Sequence, residues 1–381
     1  HLDSCNMTDH SSLFFQLLQI SIEKRRQFNS TITQNEWAEL FAMAKKQSLA
    51  GICFTGVEKL PKEQSPGEDL IMDWMGEAVK VQRRNSKLNE ACKILCNEFD
   101  GKGYKTCILK GQSNRINYPK ELASRRTPGD VDIWMFPKDN LSSPVKQTME
   151  LLESEDRIVS LAYLHAELKQ VDGVAVEAHF RPTFLNEPIH NHRLQKWYKD
   201  NKFDCIMEQE IADGITIPML KPVYNIIFQL VHIYRHLLDE GIGLRQLLDY
   251  YFLLRGTVQS LTDEQKKTIV DKLSAFGLNR IAGAVMYVLR RVFLIEKEYM
   301  IVPVNERYGR QLLDEIMIAG NFGHYDPRLK DIGKACHDTS YQVRHAIRRF
   351  NRNTRFFMAY PSEVIFEPFA RVIHFWWRKF K

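Results

Sequence analysis

Two aspartates separated by one apolar residue are the clearest candidates for chemistry in this chain. Asp130 and Asp132 lie in the segment Arg126-Thr-Pro-Gly-Asp-Val-Asp-Ile-Trp134. In a β-strand, side chains at positions i and i+2 point to the same face, about 7 Å apart along the backbone. Two carboxylates held this way raise each other's pKa unless a cation neutralises them, and Mg²⁺ or Mn²⁺ prefers such oxygen ligands. The pattern predicts a divalent metal site, with an exposed strand end that solvates both acids as the alternative.

A glycine turn lies upstream of these acids. An apolar strand ending in Lys110 runs directly into Gly111, Gln112 and Ser113. Glycine lets the backbone turn sharply, and free N–H groups at the start of a helix bind anions. This segment is therefore a candidate phosphate cradle.

A hairpin downstream supplies a third carboxylate. Residues 161–168 and 174–180 have the composition of strands, and the Asp172-Gly173 dipeptide between them is a strong hairpin signal. In the second strand, Glu177 and His179 alternate onto one face. We expect Glu177 to lie on a strand next to the one that carries the two aspartates.

Together these segments resemble the DNA polymerase β-type nucleotidyltransferase superfamily, and more narrowly its bacterial branch of uncharacterised nucleotidyltransferases. The resemblance covers residues 104–181 and is carried by Lys110-Gly111-Gln112-Ser113, Asn117-Tyr118-Pro119, Arg126, Gly129-Asp130-Val131-Asp132 and Glu177-Ala-His179-Phe-Arg181. The sequence departs from the superfamily at one point. The usual Gly-Ser or Gly-Gly pair is Gly111-Gln112 here, and Ser113 stands one position late.

The resemblance implies an α+β fold, in which a small mixed β-sheet core with helices is embedded between helical regions. It implies metal-dependent transfer of a nucleoside monophosphate from an NTP, with ATP as the expected donor, to a hydroxyl of a small molecule, a protein or an RNA. Asp130, Asp132 and Glu177 would hold Mg²⁺ or Mn²⁺ and carry catalysis. The expected nucleotide-binding residues are Lys110, Gly111, Gln112, Ser113, Arg126, Gly129, His179 and Arg181. The alternative is a catalytically inactive nucleotidyltransferase-like protein that binds a ligand or a partner.

Composition sets the protein class. The chain has 381 residues, 44% of them hydrophobic and 26% charged, which is typical of a soluble globular protein with several domains. We expect an N-terminal helical region at 1–100, the nucleotidyltransferase-like core at 101–220 and a C-terminal helical domain at 221–381. Seven cysteines without regular spacing, no signal-peptide pattern and no run of eighteen apolar residues predict a cytoplasmic protein.

The helical regions carry local start signals. Thr33 with Glu36, and Thr262 with Gln265, match capping boxes. Pro222 is expected at a helix start, and Pro137 predicts a helix over about 138–153. Further helices are expected at 279–294 and 305–319, followed by a glycine-bearing loop at 319–324.

Two histidines on the helix that follows Pro222 have metal-ligand spacing. His232 and His236 are four residues apart, but no third zinc ligand is evident. They are expected instead to line the cleft facing the sheet, together with Arg245 and Asp249. A polar contact between helices is the alternative.

The last forty residues are strongly basic, with nine Lys or Arg and two acidic residues. Arg344, Arg348, Arg352 and Arg355 recur at helical spacing and predict one basic helix face, which could contact a polyanion, either nucleic acid or an anionic membrane surface. A solvated face, or packing through the aliphatic arginine stems, is the alternative. The terminal Phe375-Trp376-Trp377 and Phe380 add aromatic residues of the interfacial kind.

Overall fold

The computed structural model describes residues 9–139, 143–326, 328 and 349–380. Four helices come first: α1 (Asp9–Ser21), α2 (Gln34–Lys46), α3 (Ala50–Lys59) and α4 (Glu68–Gly101). Seven strands and three helices follow: β1 (Tyr104–Ile108), α5 (Lys120–Ala123), β2 (Val131–Pro137), α6 (Pro144–Ser154), β3 (Ile158–Leu161), β4 (His165–Val171), β5 (Val174–His179), α7 (Pro188–Asn201), β6 (Ile206–Ala212) and β7 (Ile215–Leu220). The remaining labelled helices are α8 (Pro222–Asp239), α9 (Leu244–Thr257), α10 (Asp263–Ala275), α11 (Asn279–Phe293), α12 (Glu306–Ala319) and α13 (Pro361–Lys379).

The strands form one mixed sheet in the order β3-β4-β5-β2-β1-β7-β6. The α+β class predicted from the sequence is thereby confirmed, although the sheet is larger than the small one expected. Strands β3, β6 and β7 were not predicted, and they lengthen the sheet at both edges. Strand β2 lies in the middle, antiparallel to β1 and parallel to β5.

The alternation along β2 decides what each face contacts. Val131, Ile133 and Met135 pack in one apolar cluster with residues of α4 and α6. Trp134 and Phe136 belong to a second cluster that contains much of α7 and α8. Because side chains alternate along a strand, Asp132 shares the face of this second pair and points toward α8.

The second apolar cluster draws residues from the N-terminal helices, the sheet and the C-terminal helices alike. It contains Phe14 of α1, Trp134 of β2 and Tyr251 of α9, all nearly inaccessible to solvent. Such a shared core favours cooperative folding of the three regions, and the division at residues 100 and 220 stays a prediction.

Most local signals gave the expected elements. Both capping boxes are present, with the Thr33 and Thr262 hydroxyls accepting from the N–H groups of Glu36 and Gln265. Pro222 is the first residue of α8. The prediction for Pro137 was wrong, because this residue ends β2 and the next helix begins at Pro144.

The segment after β1 also differs from expectation. The helix start expected at the Gly111 turn is a 3₁₀ helix over Gly111–Asn117. Gly111 has φ +64°, and a Cβ there would lie 3.6 Å from the carbonyl oxygen of Asp130. A glycine is therefore favoured by backbone conformation at the point where this turn approaches the acidic strand.

In the basic C-terminal segment, Arg352 supports the structural alternative. This residue is 5% exposed, and its guanidinium donates to the carbonyl oxygens of Leu238, Asp239 and Glu240 at the end of α8. Arg355 forms an ion pair with Glu315 at 3.1 Å. Arg344 and Arg348 lie outside the described residues. Arg352 thus caps a helix instead of facing a polyanion, because terminal carbonyls need donors and favour a nearby cation.

We expect Arg352→Gln to lower the free energy of unfolding by about 2 kcal/mol, the typical contribution of hydrogen bonds from a charged group. Urea denaturation would measure this loss, with Arg349→Gln as the control from the same helical segment. RNA binding, if any is detected, should be equal in both variants. Weaker RNA binding by Arg352→Gln at unchanged stability would restore the polyanion interpretation.

In the described part of the chain, no helix is both long and apolar enough to cross a membrane.

Candidate active site

Three carboxylates converge at one end of β2 and β5. Asp132 and Glu177 are directly paired in the parallel register, and Asp130 precedes β2 by one residue. One carboxylate oxygen from each of the three side chains lies within 4.8 Å of the other two. The geometry predicted from the Asp-x-Asp pattern and from the hairpin is therefore present.

Two cations already contact these acids. The Nζ of Lys110 lies 3.1 Å from Oδ1 of Asp132 and 3.8 Å from Oδ1 of Asp130. The Nε2 of His179 lies 2.9 Å from Oδ1 of Asp132 and 3.4 Å from Oε2 of Glu177. Lys110 and His179 partly neutralise the cluster and so reduce the repulsion expected between bare carboxylates.

The charged groups shift one another's pKa. Burial disfavours charged Lys110, but the neighbouring carboxylates outweigh it and raise the pKa of the lysine. Burial likewise opposes protonation of His179, yet its bonds to Asp132 and Glu177 raise its pKa to about 9. Burial alone would raise the pKa of Glu177, but the contact with His179 outweighs burial and lowers that pKa to about 2. Glu177 is thus ionised at neutral pH.

One carboxylate oxygen remains without a partner. Asp132 is fully buried, and its Oδ2 has no hydrogen-bond partner among the described residues. A buried ionised oxygen without a donor costs free energy unless a cation occupies the position. The donor set and this orphaned atom therefore fit a hard divalent cation held by Asp130, Asp132 and Glu177.

A second possible ligand group shares Glu177. His165 stands opposite His179 in the β4–β5 pairing, and its Nδ1 is 3.4 Å from Oε2 of Glu177. His165, Glu177 and His179 also bring their ligand atoms within 4.8 Å of one another. Sequence reasoning missed His165, although the Asp172-Gly173 turn was recognised.

The acids face a cavity of about 450 Å³. Its opposite wall is formed by α8 and by the loop after α12, which contribute Phe228, His232, Arg235, His236, Phe322 and His324. The prediction that His232 and His236 line the cleft is confirmed. Burial, with the neighbouring His236 and Lys110, lowers the pKa of His232 well below its usual range. The imidazole of His232 therefore faces the carboxylates in its neutral form.

Arg126 does not face this cavity. Its Nε and Nη2 donate to the two oxygens of Asp249 at 2.6 and 2.7 Å, and Tyr118 donates its hydroxyl to the same carboxylate at 2.7 Å. Arg126 and Asp249 are 4% and 3% exposed. This buried ion pair joins the sheet region to α9. Both residues, with Arg245, also line a smaller cavity whose lining includes Lys110, Gly111 and Asp130, so the Arg126 contact with phosphate stays a prediction.

The side chains of the predicted phosphate cradle also point elsewhere. Gln112 and Ser113 are each 1% exposed, and Gln112 donates to the carbonyl oxygen of Asn85 and to Oδ1 of Asn89 on α4. Phosphate binding by this segment would consequently use its backbone N–H groups. Gly129 lines the acidic cavity through its backbone.

Arg181 lies outside the lining of the acidic cavity. Its Nη1 donates to the carbonyl oxygen of Tyr163 at 2.7 Å, and its guanidinium stacks 4.2 Å from the centre of that ring. Arg181 therefore contacts the loop between β3 and β4 and not the carboxylates.

The family described as uncharacterised nucleotidyltransferase matches residues 33–294. The chain belongs to this family. The match extends over more than two thirds of the chain and includes the three carboxylates, Lys110, His179 and the facing helix α8. Helix α13 lies beyond the matched residues.

No curated protein matches the chain. One solved structure with some likeness is an antigenic nucleotidyltransferase-like protein from Paracoccidioides brasiliensis. It has 15% identity and a TM-score of 0.30, and the likeness covers 51% of this chain and 93% of that one. So low a TM-score supports no argument about the site, and the family assignment rests on the sequence match.

Proposed function

We propose that this protein transfers a nucleoside monophosphate from an NTP, with ATP as the expected donor, to a hydroxyl group of an acceptor. The observation that carries this proposal is the trio of carboxylates within 4.8 Å at one wall of the cavity, with Oδ2 of Asp132 buried and unpartnered. The resemblance to the DNA polymerase β-type superfamily and the family match support the same reaction class.

Asp130, Asp132 and Glu177 would hold Mg²⁺ or Mn²⁺, which when bound neutralises phosphate charge and lowers the pKa of a coordinated hydroxyl. The acceptor hydroxyl attacks the α-phosphorus, a P–O bond forms, pyrophosphate leaves and the hydroxyl proton passes to solvent. The chain itself mainly positions the reactants and stabilises charge.

Several side chains are placed to assist. Lys110 reaches both aspartates and can move its ammonium group to the phosphates, and the backbone of the Gly111 turn offers N–H donors beside it. His179 fixes Asp132 and Glu177 through its hydrogen bonds. The histidines of α8 form the opposite wall, where an acceptor or a nucleotide base would lie.

The proposal is tested by incubating the protein with each of the four α-³²P-labelled NTPs, Mg²⁺ or Mn²⁺, and a cell lysate that supplies acceptors. We expect label to appear in a product, and Glu177→Gln to keep NTP binding while losing transfer. The loss should exceed the about 10- to 100-fold typical of removing a residue that only supports a metal ligand.

Glu167→Gln is the matched control, because Glu167 pairs with Glu177 across the β4–β5 hairpin and is exposed. Transfer at the wild-type rate by Glu177→Gln would demote Glu177 to a structural residue. Tight NTP binding by the wild-type protein without transfer of any label would favour the inactive, ligand-binding alternative.

A further inference from the structure

Helix α13 attaches to the protein through its acidic side. Glu363 is 3% exposed and accepts hydrogen bonds from the N–H groups of Asn186 and Glu187 at 2.7 and 3.2 Å. Glu367 is 7% exposed and pairs with Arg371 on the next turn. These are the two acidic residues of the helix, so its inner side holds all of its negative charge.

The outer side of the same helix is apolar and exposed. Seven large hydrophobic side chains are between 45% and 79% exposed: Ile365, Phe369, Val372, Ile373, Phe375, Trp376 and Phe380. Most recur at intervals of three or four residues and form one stripe, as on an amphipathic helix. Soluble monomers rarely expose apolar patches of this extent, so the stripe indicates a binding surface.

The charges next to this stripe are positive. Arg378 and Lys379 are exposed at the C-terminal end of the helix, and α13 has no exposed acid beside them, whereas Arg371 is already paired with Glu367 and Asp239. We infer that this outer face of α13 binds the surface of an anionic lipid bilayer. The helix lies in the interface, with Phe369 and Trp376 inserted among the acyl chains and headgroups and the basic residues contacting lipid phosphates.

Charge distinguishes this occupant from the others. A second copy of the chain, packed stripe to stripe, would bring no exposed acid of α13 to Arg378 and Lys379. An anionic bilayer supplies an apolar interior for the stripe and negative charge for the basic residues. At about 28 Å, nineteen helical residues give a contact long enough for such binding.

The same helix lines a cavity of about 440 Å³ with Arg371, His374 and Arg378. This cavity shares Leu164, His165 and Arg235 with the acidic cavity. Helix α13 therefore forms part of the wall of a cavity that borders the acidic one. Membrane binding itself does not depend on the proposed transfer reaction.

The inference is tested by sedimenting the purified chain, without nucleotide or metal, with vesicles of phosphatidylcholine containing 30% phosphatidylserine. We expect binding that weakens at high salt and falls further with pure phosphatidylcholine. The double variant Phe369→Ser with Trp376→Ser should lower the partition coefficient at least about tenfold, because two large apolar side chains no longer leave water. Arg378→Gln with Lys379→Gln should remove most of the preference for anionic vesicles.

The matched control is Met72→Ser with Ile189→Ser, two side chains exposed to 62% and 59% elsewhere on the surface. All variants should keep the wild-type melting temperature, since the replaced groups are exposed. Absence of wild-type binding to anionic vesicles at low salt would overturn the inference. Gel filtration showing dimers that Phe369→Ser with Trp376→Ser dissociates, without vesicle binding, would assign the face to a protein contact instead.

Discussion

Replacing Asp132 by asparagine is expected to weaken Mn²⁺ binding by about 100-fold or more. Asp132 is the fully buried member of the carboxylate trio, and its free Oδ2 is the atom that most needs a cation. Asparagine keeps the shape, and its Oδ1 can still accept from Lys110 and His179. The loss of a full negative charge removes a primary ligand, which should cost more than the about 10- to 100-fold seen for supporting residues.

Isothermal titration calorimetry with Mn²⁺ measures this effect on the purified protein. Asp172→Asn serves as the control, because Asp172 is an exposed acid in the hairpin turn and its left-handed conformation suits asparagine. Equal Mn²⁺ affinity of Asp132→Asn and the wild-type protein would remove the main support for a metal site. Melting temperatures, recorded in parallel without metal, separate lost affinity from lost folding.

The largest effect on stability is expected at Asp249. Its carboxylate accepts from Arg126 and Tyr118, and both members of the Arg126 ion pair are almost inaccessible. In Asp249→Asn the guanidinium keeps its charge but loses the counter-charge. Breaking a buried pair by removing one partner costs about 3–5 kcal/mol, which we expect as the loss in free energy of unfolding.

Urea denaturation at neutral pH would measure the Asp249→Asn change, with Asp271→Asn on the exposed face of α10 as the control. The control should change stability by less than about 0.5 kcal/mol, as is usual for surface substitutions. A loss at Asp249 no larger than that of the control would show that the pair is solvated in solution. Arg126 is four residues before Asp130, so loosening its ion pair should also displace the acidic segment. We therefore expect transfer activity to fall in Asp249→Asn.

The acidic site was predictable because its signals are local. The Asp-x-Asp pattern places Asp130 and Asp132 by strand alternation alone. The Asp172-Gly173 turn then gives the hairpin that delivers Glu177. The hairpin led us to expect Glu177 on a strand next to the one with the two aspartates, but the parallel direction of the β2–β5 pairing, which sets Asp132 beside Glu177, was not predicted.

His165 could not be found in the same way. A regular two-residue turn that pairs Val171 with Val174 would place Ala166 opposite His179. The pairing shifts by one residue between Leu168 and Val171, and this bulge brings His165 opposite His179 instead. A bulge is an irregularity of packing that the alternation of residues does not report.

Pairs of residues that are far apart in the chain could not be predicted from the sequence either. Arg126 and Asp249 were both expected near the cleft, yet only the packing of α9 against the sheet region makes them partners. The β6–β7 hairpin is a different case, because its Asp213-Gly214 turn carried the same signal as the recognised hairpin and was overlooked. Strand β6 is only partly buried, which weakened its apolar pattern, whereas β7 is buried at five of its six residues.

The position of Glu177 between two ligand groups has a consequence for ion choice. With Asp130 and Asp132 it completes an all-oxygen set suited to magnesium or manganese, and with His165 and His179 it completes an imidazole-rich set suited to zinc. A carboxylate in this position either ligates two ions at once or belongs to only one of the two sites at a time. The ratio of the metals that the cell supplies would then decide what fraction of the protein can carry out the proposed transfer. Trace zinc in an assay buffer should therefore be controlled.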